Sequence, residues 1–301
     1  MLCLLSATGF GLMALFAKEA YADGVSVTTL LALRFTLAAA AFWAIVAVRR
    51  PRGATRPPAR VVVAGLALGA VGYAAQAGGY FGALRHIDAS LTSLLTYLYP
   101  ALVFAGAVAL RREGADQRRV IALTLATGGA ALVLAGGATG ALDPVGVALA
   151  LSAAVAYASY ILVADTLMGR IDPFMLGALV ATGAGGTLWA FGLSTGSLQL
   201  RFAAAGWLWI GALALVCTVL AMSAFLVGVE RVGPATASIV STIEPVVTVA
   251  TAMAVFGERL GPVQALGGGC VLFAVVLLQA KVRTRAPAAH APAATPARAL
   301  A

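Results

Sequence analysis

Ten apolar runs, each about 20 residues long and divided by short charged or turn-rich punctuation, leave few folds open to this chain. They fall at 2–20, 27–48, 61–83, 88–110, 119–137, 144–164, 173–193, 205–228, 233–256 and 261–280. In hydrocarbon every backbone N–H and C=O must be bonded inside the segment, so runs of this length are read as helices. No strand-like alternation or aromatic girdle suggests a membrane barrel. The expected fold class is all-α: a polytopic membrane protein with ten transmembrane helices. Only 10% of the 301 residues are charged, against about 25% in soluble domains, so a soluble surface is excluded and the lipid bilayer is the expected surrounding.

The net charge of +9 does not point to nucleic acid, because the basic residues lie in short loops and a tail without interleaved stacking aromatics. Cys3, Cys217 and Cys270 sit inside apolar runs, and the two histidines, His86 and His290, lie far apart. Neither a disulfide framework nor a metal site is indicated, and no cofactor is expected. The chain has no GxxxxGK or HExxH motif, which argues against ATP-driven pumping and zinc-dependent hydrolysis.

Basic residues near span ends mark the cytoplasmic side. With the N-terminus inside, Arg49, Arg50, Arg52, Arg56, Arg60, Arg111, Arg112, Arg118 and Arg119 fall on that side, while Lys18, Arg85, Arg201 and Arg259 fall outside. Both termini are expected in the cytoplasm and the chain in a cytoplasmic (inner) membrane. Ala20-Tyr21-Ala22 has the form of a signal-cleavage site, but no basic n-region precedes it. Residues 282–301 are Ala/Pro-rich and are expected to form a disordered cytoplasmic tail.

The two halves resemble each other at an offset near 145 residues. Ser6-Ala7 meets Ser152-Ala153, and Ser93, Thr96, Tyr97, Pro100 and Glu113 fall on Ser238, Ser241, Thr242, Pro245 and Glu258. The expected units are a first five-helix repeat at 1–142 and a second at 143–281. Five spans per repeat is odd, so the second copy starts from the opposite face and the repeats are inverted. Rocking such copies against each other opens a site between them to one side and then the other, which is alternating access.

With these residues in view, the chain resembles EamA-type members of the drug/metabolite transporter superfamily over about 1–280. The resemblance is carried by Arg34-Phe35, by Tyr99-Pro100 followed by Glu113, and by Glu244-Pro245 followed by Phe256-Gly257-Glu258-Arg259-Leu260 and Gly267-Gly268. The first copy departs from the pattern, with Arg111-Arg112-Glu113-Gly114 in the corresponding loop. The resemblance implies an exporter or permease for amino acids, related metabolites or drugs.

Glu244 lies mid-span, where an ionised carboxylate is costly unless it faces protein or water. It is expected to bind a coupling proton or a substrate amine, or else to bond a neighbouring helix. Arg34 lies about two turns inside its span. It either grips a substrate carboxylate through two parallel hydrogen bonds or snorkels to the interface. One Arg and one Glu suit a zwitterion better than a phosphorylated substrate. Tyr73, Gln76 and Tyr80 share one face of the third helix, and Tyr157 and Tyr160 make a weaker case on the sixth. Ser93, Thr96, Tyr97, Ser238, Ser241 and Thr242 precede Pro100 and Pro245, the expected hinges. Of these, Ser93, Tyr97, Ser238 and Thr242 join Arg34, Tyr73, Gln76, Tyr80 and Tyr157 as candidate substrate contacts. Glycines 65, 69, 128, 129, 183, 267 and 268 fit close helix packing.

The reading is a secondary transporter of a small-molecule substrate, as a monomer or homodimer. A multidrug/cation or nucleoside carrier is the alternative, with an intramembrane enzyme, channel or scaffold as readings of another class.

Overall fold

The computed structural model describes residues 1–49, 57–112, 116–137, 142–167 and 170–279, so Glu113 and the tail from 282 lie outside the described residues. Among the described residues, ten helices are long and apolar enough to cross a membrane. Five are uninterrupted: α2 (Val27–Arg49), α5 (Gln117–Gly137), α6 (Pro144–Leu167), α7 (Pro173–Thr195) and α10 (Pro262–Gln279). The other five are irregular at mid-length. α1 is Leu2–Gly11 and Met13–Ala22, α4 is Ala89–Thr96 and Tyr99–Ala109, and α9 is Pro234–Ser241 and Ile243–Phe256. α3 (Ala59–Ala67, Leu68–Tyr73, Ala74–Ala83) and α8 (Ala205–Ala214, Leu215–Leu220, Ala221–Val232) each contain one widened, π-helical turn.

Four of these irregularities obey the repeat, since the π turns of α3 and α8 correspond, as do the breaks at Tyr97 and Thr242, while the break of α1 at Leu12 has no counterpart in α6. Packing obeys it too. α1 lies against α8 and α9 as α6 lies against α3 and α4, while α2 pairs with α7 and α5 with α10. The far end of α1 meets the end of α9 through Lys18 and Glu258, 2.7 Å apart. Those positions close the first span of one copy and the fourth of the other, so they share a face only if the copies run in opposite senses. The fold is two inverted five-helix repeats.

Local chemistry sets the helix ends. Asp172 starts α7 by accepting from the amides of Phe174 and Met175 at 2.9 and 3.1 Å, with Pro173 at the first helical position. Gly257 closes α9 at φ +65°, where a side chain would be strained. α3 and α7 touch backbone to backbone, because a Cβ on Gly183 would meet the Leu66 carbonyl and one on Gly69 the Val180 carbonyl. Gly128 corrects the packing expectation: its face is open, with nothing within 4 Å of where a Cβ would stand. Large apolar side chains such as Leu208, Phe273 and Val71 are exposed on the outside of the bundle, which suits lipid and not water.

Candidate functional site

A cavity of about 90 Å³, enough for several waters, lies at mid-bundle between the repeats. Every irregular helix borders it or holds something that does. Phe10 and Met13 flank the break in α1, Thr96, Tyr97 and Tyr99 surround that in α4, and Glu244 follows that in α9. Tyr73 ends the π turn of α3, with Gln76 and Tyr80 on the same face beyond it. Ser93 and Tyr157 complete the lining with Arg34.

Arg34 does not snorkel. It is 1% exposed, and its Nε donates to the Thr218 hydroxyl at 3.0 Å. That hydroxyl in turn donates to the Leu213 carbonyl five residues back, at 2.9 Å, so the π turn of α8 is what aims Thr218 at the arginine. Phe81 and Phe35 lie 5.0 and 5.1 Å from the guanidinium carbon, close enough for cation–π attraction. The terminal guanidinium nitrogens have no carboxylate partner among the described residues.

Glu244 occupies the first turn of the second half of α9, where the free N–H groups and helix dipole favour an anion. It too lacks a charged partner among the described residues, so Arg34 and Glu244 border one cavity without joining in an ion pair. The break ahead of it follows from Pro245, which has no N–H for the Ser241 carbonyl. Tyr97 of α4 donates its hydroxyl to that carbonyl at 2.9 Å, tying the two breaks together.

An unbroken line of rings runs along the cavity: Phe35, Tyr73, Tyr160, Tyr157, Tyr99 and Tyr97, with successive centroids 4.5 to 5.9 Å apart. These rings come from α2, α3, α6 and α4, and no single-helix periodicity contains them.

Eight of the ten candidate contacts therefore meet at one cavity. Thr242 does not, because it spends its hydroxyl on the Ile239 carbonyl of its own helix at 2.7 Å. The Ser238 side chain is outside what is described. The bends lie ahead of the expected hinges, at Tyr97–Leu98 and Thr242, since a proline unlatches the turn before it and itself sits inside the next helix. Phe10 and Met13 carry no mark in the sequence, and Tyr99 stands there only as part of the family resemblance and not as a candidate contact. Tyr99 was within reach, because the offset of 145 places it on Glu244.

The face to which the far end of α1 leads is laced between repeats. Glu258 accepts from Lys18 Nζ at 2.7 Å, from the Ala89 and Ser90 amides at 2.9 and 3.0 Å, and from the Ser90 hydroxyl at 2.7 Å. It thereby caps α4 from the other repeat. Burial pushes its carboxyl up, but these bonds outweigh burial and hold it below the usual carboxylate range. On the same face His86 meets Asp143 at 2.6 Å, and Trp209 donates to Asp23 at 2.9 Å.

Both halves of the chain match the EamA-like transporter family, over residues 1–135 and 144–279. The uncharacterized transporter YcbK of Bacillus subtilis (strain 168) is 25% identical over 291 residues, covering 90% of this chain and 89% of that protein. Among solved structures, one described only as the crystal structure of a protein superposes with a TM-score of 0.66 at 18% identity, covering 92% of this chain and 94% of the other.

Proposed function

We infer, because this chain belongs to the EamA-like transporter family, that it is a secondary transporter carrying an amino-acid-like metabolite by alternating access. Membership itself makes it a multi-pass membrane transporter of the drug/metabolite type, not an enzyme. The finer reading rests on one observation: a basic and an acidic side chain, Arg34 and Glu244, border one cavity between inverted repeats with no ion-pair partner among the described residues. A charge removed from water is stable only when paired or bonded, so the pair invites a molecule that brings both complements. A zwitterion does so, its carboxylate to Arg34 and its ammonium to Glu244, with the tyrosine wall against its apolar part.

In this reading the halves 1–142 and 143–281 rock about the cavity, and the breaks at Tyr97–Leu98 and Thr242, with Pro100 and Pro245 just beyond, absorb the motion. Glu244 alternates between substrate or proton and its empty state, which makes transport proton-coupled. The arrangement of basic loops supports a cytoplasmic membrane with both termini inside, and an exporter or permease is what the family resemblance implies.

Counterflow in proteoliposomes, with a panel of labelled amino acids, nucleosides and organic cations, tests this. Amino-acid exchange is expected in the wild type, with its proton dependence lost in Glu244→Gln while insertion is retained. Preference for nucleosides, or a pH profile unaltered by Glu244→Gln, rejects it.

A further inference from the structure

Thr96 is 7% exposed, it lines the cavity, and its hydroxyl has no hydrogen-bond partner among the described residues. A buried hydroxyl seldom goes unbonded, and in a lipid-embedded site the cost of leaving it so is greater than in water. Its neighbours do not share the condition: Thr92 donates to the Asp88 carbonyl at 2.9 Å, and Tyr97 is engaged with Ser241. The Thr96 carbonyl is also released, because Pro100 stands four residues on and has no N–H to give it. Ser241 is the equivalent residue of the other repeat, and there Tyr97 takes the freed carbonyl while the Ser241 hydroxyl bonds Ala237 at 3.0 Å. Thr242, at the position equivalent to Tyr97, is too short to return that bond and is turned to Ile239. One break is thus filled by protein and its twin is left with two empty acceptors.

Thr96 also has the right neighbour. The first half of α4 ends at Thr96 and packs on the second half of α9, which begins beside Glu244. Both residues line the cavity, and the carboxyl end of a helix segment adds partial negative charge at Thr96. We propose that Thr96 is a specificity-determining residue, whose hydroxyl and proline-freed carbonyl join the Glu244 carboxylate as three acceptors for the three N–H donors of a primary ammonium group. N-methylation removes donors one by one, and the quaternary form has none. Thr96 therefore distinguishes primary from quaternary amines, which a carboxylate and an aromatic wall alone do not, since both attract either cation.

The proposal rests on the reading of this cavity as the substrate site, but its test does not need the natural substrate. Binding of n-butylamine and of N,N,N-trimethylbutylammonium to the purified protein is measured by titration calorimetry at pH 7. A charge-assisted hydrogen bond corresponds to about a tenfold change in affinity or more. The wild type is expected to prefer the primary amine by at least that factor. Thr96→Val, near in shape and without the hydroxyl, should shrink the preference about tenfold, and Thr96→Ser should keep it. If Thr96→Val does not fold, Thr96→Ala serves in its place. Equal affinities in the wild type, no binding of either probe, or a preference indifferent to removal of the hydroxyl overturns the proposal. A Thr96-dependent preference alongside absent amino-acid counterflow would leave it standing while rejecting the transport reading.

Discussion

Removing the Glu258 carboxylate is expected to unlatch the face at which Lys18 and the start of α4 meet. One side chain there holds four donors from two other segments, and it is 5% exposed while Lys18 is 21% exposed. Breaking a buried pair from one side costs about 3–5 kcal/mol, because the abandoned charge stays behind. Lys18 keeps some water, so the lower end, about 3 kcal/mol, is the figure for Glu258→Ala, or roughly a hundredfold in the closed-to-open ratio. Glu258→Gln keeps the shape but offers one accepting oxygen, and should shift the ratio about tenfold. The readout is the rate at which a membrane-impermeant maleimide reaches Ser93→Cys in the cavity, with Cys3, Cys217 and Cys270 replaced and sealed vesicles labelled from each side. Because the folded carboxyl lies below its ordinary value, the clamp is complete above that ordinary value, about 4.3, and is lost only as pH falls through the lower one. With Glu244 replaced by Gln and the labelling rate corrected for the thiolate fraction of the target cysteine, access should therefore be flat from about pH 5 to 8. Equal labelling of Glu258→Ala and wild type, or access that changes steadily between those pH values, would refute the reasoning.

Three further outcomes follow from the same contacts. Tyr97→Phe should leave the Ser241 carbonyl without its donor and lower stability by about 1–3 kcal/mol, read as a thermal shift in detergent; an unchanged melt would mean that water already serves that carbonyl. Gly183→Ala forces a methyl against the Leu66 carbonyl where backbone meets backbone, so a loss of about 1–3 kcal/mol or more is expected in the same assay, whereas Gly128→Ala, facing open space, should be nearly neutral. For Glu244→Gln, proton-dependent counterflow should disappear with expression and insertion unchanged.

Much of the fold was legible in the chain because hydrocarbon imposes a local rule. Each spanning segment must satisfy its own backbone, so length and apolarity alone announce the ten helices, and an odd number per repeat forces inversion. Arg34, Glu244 and the Tyr73-Gln76-Tyr80 stripe were visible for the same reason, since polar groups at that depth stand out against their surroundings. The π turns of α3 and α8 and the interruption at Leu12 were not, because a widened or bent turn has no fixed residue signature and is decided by what packs beside it. So it was with the partners. Thr218 reaches Arg34 across 184 positions and Glu258 caps α4 across 168, distances that no local pattern encodes. The sequence by itself determined which segments cross the membrane and which of them carry charge. Tertiary structure alone decided that Arg34 and Glu244 border one cavity with no ion-pair partner among the described residues, and that of two equivalent proline breaks one is closed by Tyr97 while the other, at Thr96, stays open, because both depend on helices meeting that are remote along the chain.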